Sequence, residues 1–210
     1  MNIKSITGTQ LVNKVSTRKM CKNIEMVYVA ALSSPDHQTS KHWYRDARIF
    51  ANDIARIYKV TLDQVAKVIA YLSPQNGWEL NKTQTELAIK TWAAENTCSG
   101  ARLMASMKTR ALIDRTLNEF EFPFQGGIKT TSFYRNIIGD QNYVTIDRHA
   151  ISIAVGQKLS SGKQLLITLK AYKKIENAFR LVAHKKELYP YELQAITWVE
   201  WRKNPNILGV

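Results

Sequence analysis

The amino-acid sequence predicts an all-α fold. After residue 42, apolar residues recur along most of the chain at the three-to-four-residue spacing of an amphipathic helix. Residues that favour helix starts, such as Thr61 and Pro190, stand where these patterns begin. Only Tyr143 to Ile146 has the β-branched and aromatic composition of an extended segment. Short helices joined by tight turns are therefore expected, without internal repeats or low-complexity linkers.

The expected elements can be delimited in order. Ser33 to Ser40, with the sequence SSPDHQTS, has the composition of a loop. A helix is expected from His42 to Tyr58, and Thr61 caps a second helix that ends at Ser73-Pro74. Further helices are expected over Leu80 to Ala94, Ser106 to Phe120, Lys129 to Ile138, Arg148 to Val155, Lys163 to Lys185 and Tyr191 to Arg202.

Composition limits the classes of protein to consider. The chain has 210 residues, of which 45% are hydrophobic, enough to bury a core in one large or two small domains. No apolar run of about eighteen residues is present to span a bilayer, and nothing after Met1 to Ser5 resembles a signal peptide. An intracellular, cytoplasmic protein is expected. Cys21 and Cys98 are too few for a disulfide framework or a four-cysteine metal site, so neither metal nor cofactor is expected.

The charge points to a polyanionic partner. Lys and Arg number 30 against 17 Asp and Glu, which gives a formal net charge of +13. Such a charge favours nucleic acid, because cationic side chains neutralise phosphates and release their counterions. A DNA enzyme, an RNA-binding protein and a basic membrane-surface protein share this property, so the charge alone does not choose between them.

One segment, Gly126 to Ala150, combines several features of a phosphate-binding and catalytic region. Its sequence is GGIKTTSFYRNIIGDQNYVTIDRHA. The paired glycines permit a tight turn directly before a helix, where backbone N–H groups and the helix dipole can hold a phosphate. Gly139 then ends that helix, and Asp147 stands at the start of the next one. Lys129 and Asp147 are therefore both expected at helix N-termini.

Together with a second segment, Val68 to Trp92 (VIAYLSPQNGWELNKTQTELAIKTW), this region resembles the helix-hairpin-helix superfamily of DNA glycosylases. That superfamily includes endonuclease III and the adenine and oxoguanine glycosylases. The separation of Lys129 from Asp147, 18 positions, equals the spacing of lysine and aspartate in bifunctional members. The two segments cover about 50 residues, and they also resemble small glycosylase-like proteins of phages and bacteria. The hairpin differs, since Leu-Pro-Gly-x-Gly of the family is replaced by FPFQGG at 122–127.

The resemblance implies an architecture and a set of roles. It implies a helix-hairpin-helix element and a cleft between two helical lobes, with approximate bounds 60–125 and 1–59 plus 126–210. Asp147 would stabilise the cationic sugar, and Lys129 would attack it as an amine if the enzyme is also an abasic-site lyase. Gln75 would enter the duplex beside the expelled nucleotide, with Trp78 as the best stacking candidate. The DNA-contacting set is Gln75, Asn76, Trp78, Gly126, Gly127, Thr130, Arg148 and His149.

Each of these residues also has a structural interpretation. Asp147 is a good N-cap without any chemistry, and Lys129 can contact a phosphate or remain in solvent. Trp92, Trp198 and Trp201 can stack on a base, yet tryptophans at helical spacing usually belong to the core. His149 fits a structural or phosphate-contacting position, and the histidines show no metal-ligand spacing.

Three functions follow from these patterns. The first is a DNA glycosylase, with or without lyase activity, that acts as a monomer on double-stranded DNA. The alternative is a non-catalytic helix-hairpin-helix DNA-binding protein, for which the charge and the glycine turn suffice. The third is an RNA-binding protein. In a bacterial or phage setting the excised base can be damaged or modified.

Overall fold

The computed structural model of the chain describes residues 6–74, 76–159 and 162–209, and their regular structure is entirely helical. The predicted all-α class is therefore confirmed. No helix in these ranges is both long and apolar enough to cross a membrane. A 3₁₀ turn covers Gly162–Leu165, and the α-helices of the described residues are α1 Gly8–Lys14, α2 Thr17–Leu32, α3 His37–Lys41, α4 Trp43–Tyr58, α5 Leu62–Leu72, α6 Trp78–Glu95, α7 Met107–Asn118, α8 Ile128–Ile138, α9 Arg148–Val155, α10 Leu169–Lys185 and α11 Pro190–Lys203.

Local chemistry sets many of the helix ends. The Thr61 hydroxyl accepts the Gln64 backbone N–H at 3.1 Å, and the Gln64 side chain accepts the Thr61 N–H at 2.9 Å. This reciprocal capping box fixes the start of α5. The start of α11 is set in another way: its first residue is Pro190, whose missing N–H costs no hydrogen bond at that position. Gly139 ends α8 with φ 96°, a left-handed conformation that glycine adopts without strain.

Three segments differ from the sequence-based expectation. Part of the expected loop at 33–40 is helical, since α3 begins at His37 and packs against α11. The long helix expected from Lys163 begins instead at Leu169, because Thr168 is extended and its hydroxyl caps the Ala171 N–H. Tyr143 to Ile146 is irregular backbone and forms no strand, because it has no neighbouring strand in the described structure with which to pair.

The chain forms two compact units. The terminal unit comprises Met1–Tyr44 and Gln141–Val210, and the central unit comprises Arg45–Asp140. The central unit is longer than the central lobe expected over 60–125, because most of α4 and all of α8 belong to it. Within the terminal unit α2 packs against α9, α10 and α11, whereas within the central unit α5 packs against α6, α7 and α8.

The core of the terminal unit encloses α2. Met20, Ile24 and Val27 of this helix have no exposed surface, and they belong to a cluster that includes Phe179 of α10 and Trp201 of α11. Burial of each such side chain contributes about 1.5–3 kcal/mol to folding. Because the partners of α2 come from the last third of the chain, the two ends of the sequence share one core.

The segment that leads into α9 is held by α10. The Tyr172 hydroxyl donates to the Val144 carbonyl at 2.8 Å and accepts the Ile146 N–H at 3.1 Å. The Arg180 guanidinium donates to the Asn142 carbonyl and pairs with the buried Glu176 carboxylate at 2.9 Å. These side chains replace the backbone partners that a strand would have supplied. They fix the chain immediately before Asp147.

We therefore expect Tyr172→Phe to destabilise the protein by about 1–3 kcal/mol, because it leaves the buried Val144 carbonyl and Ile146 N–H without their hydroxyl partner. Tyr189→Phe is the matched control, since this hydroxyl is on an exposed ring of the same unit. Urea unfolding followed by tryptophan fluorescence measures both. Equal midpoints for the two variants would contradict the role given to Tyr172.

Candidate functional site

Asp147 is the N-cap of α9, and both of its carboxylate oxygens accept a hydrogen bond. Oδ1 accepts the Ala150 backbone N–H at 2.9 Å, and Oδ2 accepts the Trp198 indole N–H at 2.9 Å. The side chain lies in a half-buried position at the positive end of the helix dipole, which favours a negative charge there. A carboxylate has about four lone-pair sites, so Asp147 retains acceptor capacity toward a ligand.

Trp198 of α11 connects Asp147 to an aromatic and cationic cluster. Its ring lies 6.0 Å from that of His149 in an edge-on arrangement and 6.0 Å from that of Trp43 at a tilt of 60°. The Arg202 guanidinium, one helical turn further along α11, lies 4.6 Å from the centre of the Trp198 ring. We call Trp43, Asp147, His149, Trp198 and Arg202 the Asp147 cluster; all five belong to the terminal unit.

His149 is neutral near pH 7. Burial lowers the pKa of its imidazole below the ordinary value of 6.5, and the positive charges of Arg148 and Arg202 lower it further. The Asp147 carboxylate acts in the opposite direction, but the effect of burial is larger. A neutral imidazole can accept a proton as well as donate one. The cluster therefore places a proton acceptor beside a fixed carboxylate.

Lys129 and Thr130 lie in the first turn of α8, in the central unit. The Thr130 hydroxyl donates to the Gly127 carbonyl at 2.9 Å. Lys129 is half-buried, and its amine forms no hydrogen bond or ion pair with any residue in the described ranges. Gly127 is the N-cap of α8 and has no side chain to cap it, so the first N–H groups of this helix have no capping side chain.

Gly126 and Gly127 have a different role from the one expected. Neither Gly126 nor Gly127 has a positive φ, so the turn does not need their conformational freedom. Gly126 is instead required for space, because a Cβ there would collide with the Phe124 ring and the Thr130 hydroxyl. Gly127 has open space around it. The sequence predicted that the two glycines permit a tight turn through their conformational freedom. That prediction is wrong, because the backbone at these positions does not use that freedom.

Aromatic stacking holds the 119–127 connection onto α5 and α8. The Phe124 ring lies between Tyr71 and Tyr134, with centroids 4.7 Å and 5.0 Å apart and both pairs stacked. The Tyr71 hydroxyl accepts the Gln125 N–H at 2.9 Å, and the buried Lys67 amine donates to the Phe122 carbonyl at 2.7 Å. Residues of α5 thus anchor the connection that carries Gly126 and Gly127.

The residues expected to enter DNA beside a flipped base are placed in part. Gln75 lies outside the described residues. The Asn76 side-chain amide donates to the Leu72 carbonyl at 2.8 Å, and so it contributes to ending α5. Trp78 is the first residue of α6 and is half-buried, with its ring edge-on to Phe50 at 5.9 Å.

The structure groups the predicted site residues into two sets. Asp147, His149 and the exposed Arg148 belong to the terminal unit, whereas the other described members, Lys129 among them, belong to the central unit. Trp201, a stacking candidate in sequence, is a core residue with 1% exposure. Sequence patterns did not single out Arg202 or the Asp147–Trp198 hydrogen bond, although Trp198 and Arg202 stand four residues apart on one helical face.

Positive charge is concentrated in the terminal unit. Its sequence has 17 Lys and Arg against 7 Asp and Glu, a formal charge of +10, whereas the central unit has 13 against 10, or +3. The unit that contains Asp147 thus carries most of the +13 of the chain. No group of three or more His, Cys, Asp or Glu side chains able to hold a metal ion occurs in the described ranges.

The lowered pKa of His149 predicts a pH dependence of stability. The unfolded chain binds a proton at this residue more readily than the folded one, so stability falls as the pH drops below about 6.5. We expect His149→Gln to lose less thermal stability than the wild type between about pH 7.5 and about pH 5.5. His184→Gln, on the exposed surface of α10, is the control and is expected to follow the wild type. Superimposable curves for all three proteins would contradict the assignment.

Comparison with known proteins identifies a family. No curated protein and no solved structure matches the chain. A family model matches residues 7–205, which include most of the terminal unit and the whole central unit. The model is described as a family of unknown function. The chain therefore belongs to the DUF7178 family, and its match extends over the Asp147 cluster and the α8 N-terminus alike.

Proposed function

We propose that the chain is a DNA glycosylase that flips a damaged or modified base out of duplex DNA and cuts its glycosidic bond. The observation that carries this proposal is the Asp147 carboxylate, which is half-buried and oriented by the Ala150 and Trp198 N–H groups. The +10 charge of the terminal unit supports a nucleic-acid substrate. The resemblance of two sequence segments to the helix-hairpin-helix glycosylases supports the reaction.

The chemistry suits a fixed carboxylate. When the glycosidic bond breaks, the base leaves with the bonding electron pair and takes up a proton, and positive charge develops on the sugar carbon. A carboxylate beside that carbon stabilises the charge, and its effect is greatest when it needs no reorientation. Water then adds to the sugar carbon and loses a proton. Neutral His149 beside Asp147 is suited to accept that proton.

Lys129 supplies the lyase version of this proposal. After the base leaves, its amine would attack the sugar carbon and lose a proton; the ring oxygen would then leave that carbon and take up a proton, which opens the ring and forms an imine. The absence of a hydrogen-bond or ion-pair partner for this amine within the described ranges is compatible with that role. Without such an attack, water completes the reaction and the enzyme is monofunctional.

The remaining parts of the proposal concern DNA binding by a monomer inside the cell. A helix-hairpin-helix element around 119–127 would hold the backbone, and the target base would enter a cleft between two lobes. The uncapped start of α8 is suited to a phosphate, because backbone N–H groups and the helix dipole both favour an anion. The residues proposed to contact double-stranded DNA are Gln75, Asn76, Trp78, Gly126, Gly127, Thr130, Arg148 and His149.

One observation favours the alternative of a non-catalytic DNA-binding protein. The Asp147 oxygens already accept two hydrogen bonds that join α9 to α11, which is a sufficient structural role for an N-cap.

An assay for release of the free base distinguishes a glycosylase from a non-catalytic DNA-binding protein. The oligonucleotide panel should carry uracil, oxidised, alkylated and glucosylated hydroxymethylated bases, and alkali then reveals abasic sites. Comparison of duplex DNA with RNA affinity at one stated salt concentration tests an RNA-binding role.

Asp147→Asn is expected to lower base release by about 10²-fold or more, because it deletes the charge that stabilises the sugar cation. The fold is expected to persist, since asparagine is an equally good N-cap, although its amide nitrogen cannot accept the Trp198 N–H. DNA affinity measured by fluorescence anisotropy should fall far less than base release. Glu200→Gln on α11 removes a carboxylate from the same unit and should retain full activity. Full base release by the Asp147→Asn variant would exclude Asp147 from catalysis.

Borohydride treatment during the reaction is expected to trap a covalent protein–DNA adduct, because it reduces the imine formed by Lys129. Lys129→Gln should abolish both the adduct and strand cleavage. Lys90→Gln, an exposed lysine of the same unit, should leave both intact. Denaturing gels resolve the adduct. Base release by the wild type without any adduct would assign Lys129 to phosphate contact and the enzyme to the monofunctional class.

A further inference from the structure

An open cavity lies on α11 beside the Asp147 cluster. Its volume is about 320 Å³, and its walls are formed by Trp198, Val199, Arg202 and Lys203. All four residues belong to α11, and the cavity is widely open to solvent. Trp198 provides an aromatic side chain, Val199 an aliphatic one, and Arg202 and Lys203 two cationic ones. Through its indole N–H, the aromatic wall is bonded directly to the Asp147 carboxylate.

Arg202 is the cation in this cavity that is available to an anion. Its guanidinium lies over the Trp198 ring, and it forms no ion pair or hydrogen bond with a carboxylate of the described residues. An arginine stacked on an aromatic ring still presents N–H donors at its edge. Lys203 differs, because its amine pairs with the Asp36 carboxylate. Arg148 is a second exposed guanidinium near His149, without an ion pair to any described residue, and both arginines lower the pKa of that imidazole.

These features favour a ligand that is both flat and anionic. A nucleobase or sugar can pack against the indole and Val199, and a phosphate can accept hydrogen bonds from the guanidinium. A free carboxylate ligand would use the cation but not the apolar walls. The +10 charge of the unit favours a polyanionic strand over an isolated anion.

We propose that this cavity binds a nucleotide of the DNA strand that flanks the reacting nucleotide, with its phosphate on Arg202 and its apolar part against Trp198. This inference rests on the proposed function for the position of the reacting nucleotide, but binding in the cavity does not itself require catalysis. Because the Trp198 N–H also bonds to Asp147, a bound flanking nucleotide and the carboxylate would both contact the same side chain. Arg202 contacts the strand, and Trp198 acts as a positioning residue for Asp147.

The test compares Arg202→Gln with Arg18→Gln. Arg18 is an exposed arginine on α2 of the same unit, without an ion pair to any described residue, so the two variants lose the same charge. Affinity for a fluorescein-labelled duplex of about 15 base pairs is measured by anisotropy over a series of salt concentrations. Arg202→Gln is expected to weaken binding about tenfold and to reduce the salt slope by about 0.9, the effect of one lost phosphate contact. Arg202→Lys should restore the slope but only part of the affinity, because lysine lacks the planar fork.

A second measurement reports the cavity directly. Titration with the duplex should quench the fluorescence of Trp198, and Trp198→Phe should lose that part of the signal. Deoxyadenosine monophosphate is the free-nucleotide ligand in the same titration. If it binds as tightly as the duplex, the assignment to a DNA strand is overturned.

Equal losses of duplex affinity for the Arg202→Gln and Arg18→Gln variants would overturn the site. Weaker binding by Arg202→Gln without base release from any substrate would keep this site and reject the glycosylase. Base release that depends on Asp147 but not on Arg202 would keep the glycosylase and reject this site.

Discussion

The two hydrogen bonds to the Asp147 carboxylate connect the parts of the terminal unit that carry chemistry. One bond comes from the first turn of α9 and the other from Trp198 on α11, so a single side chain joins two helices. Trp198 in turn contacts the Arg202 guanidinium, which lies over its ring, and the His149 ring, which is edge-on to it. The geometry of the cluster thus depends on one carboxylate that has both a structural and a candidate catalytic role.

Helix α10, and not a neighbouring strand, holds the segment that leads to Asp147. Val144 and Ile146 are buried, yet no strand lies beside them in the described structure. The Val144 carbonyl and the Ile146 N–H both bond to the single hydroxyl of Tyr172. A buried carbonyl or N–H without a partner costs free energy, so this arrangement makes the irregular segment tolerable in the core. It also explains why a segment of β-like composition remains irregular and unpaired.

The sequence was most informative where structure is decided locally. The capping pair of Thr61 and Gln64, the proline at the start of α11 and the glycine at the end of α8 each determine a helix end within a few residues. The candidate carboxylate was also found, because an aspartate at a helix start is visible in the pattern. Composition failed for α3, since the serines and the aspartate of 33–40 favour a loop and packing against α11 overrides them. The bond from Trp198 to Asp147 spans 51 positions, and no local pattern encodes it.

The terminal unit is made from both ends of the chain, with the whole central unit between them. During synthesis, α2 therefore emerges long before α9, α10 and α11, the helices against which it packs. The buried face of α2, formed by Met20, Ile24 and Val27, meets its first partner only after α9 has been synthesised, and its set of partners is complete only after Trp201. The central segment is continuous and can fold first, which brings the two ends closer and lowers the entropy cost of joining them. The hydrogen bond from Trp198 to Asp147 can therefore form only after residue 198 has been synthesised, when the whole central segment is already available to fold.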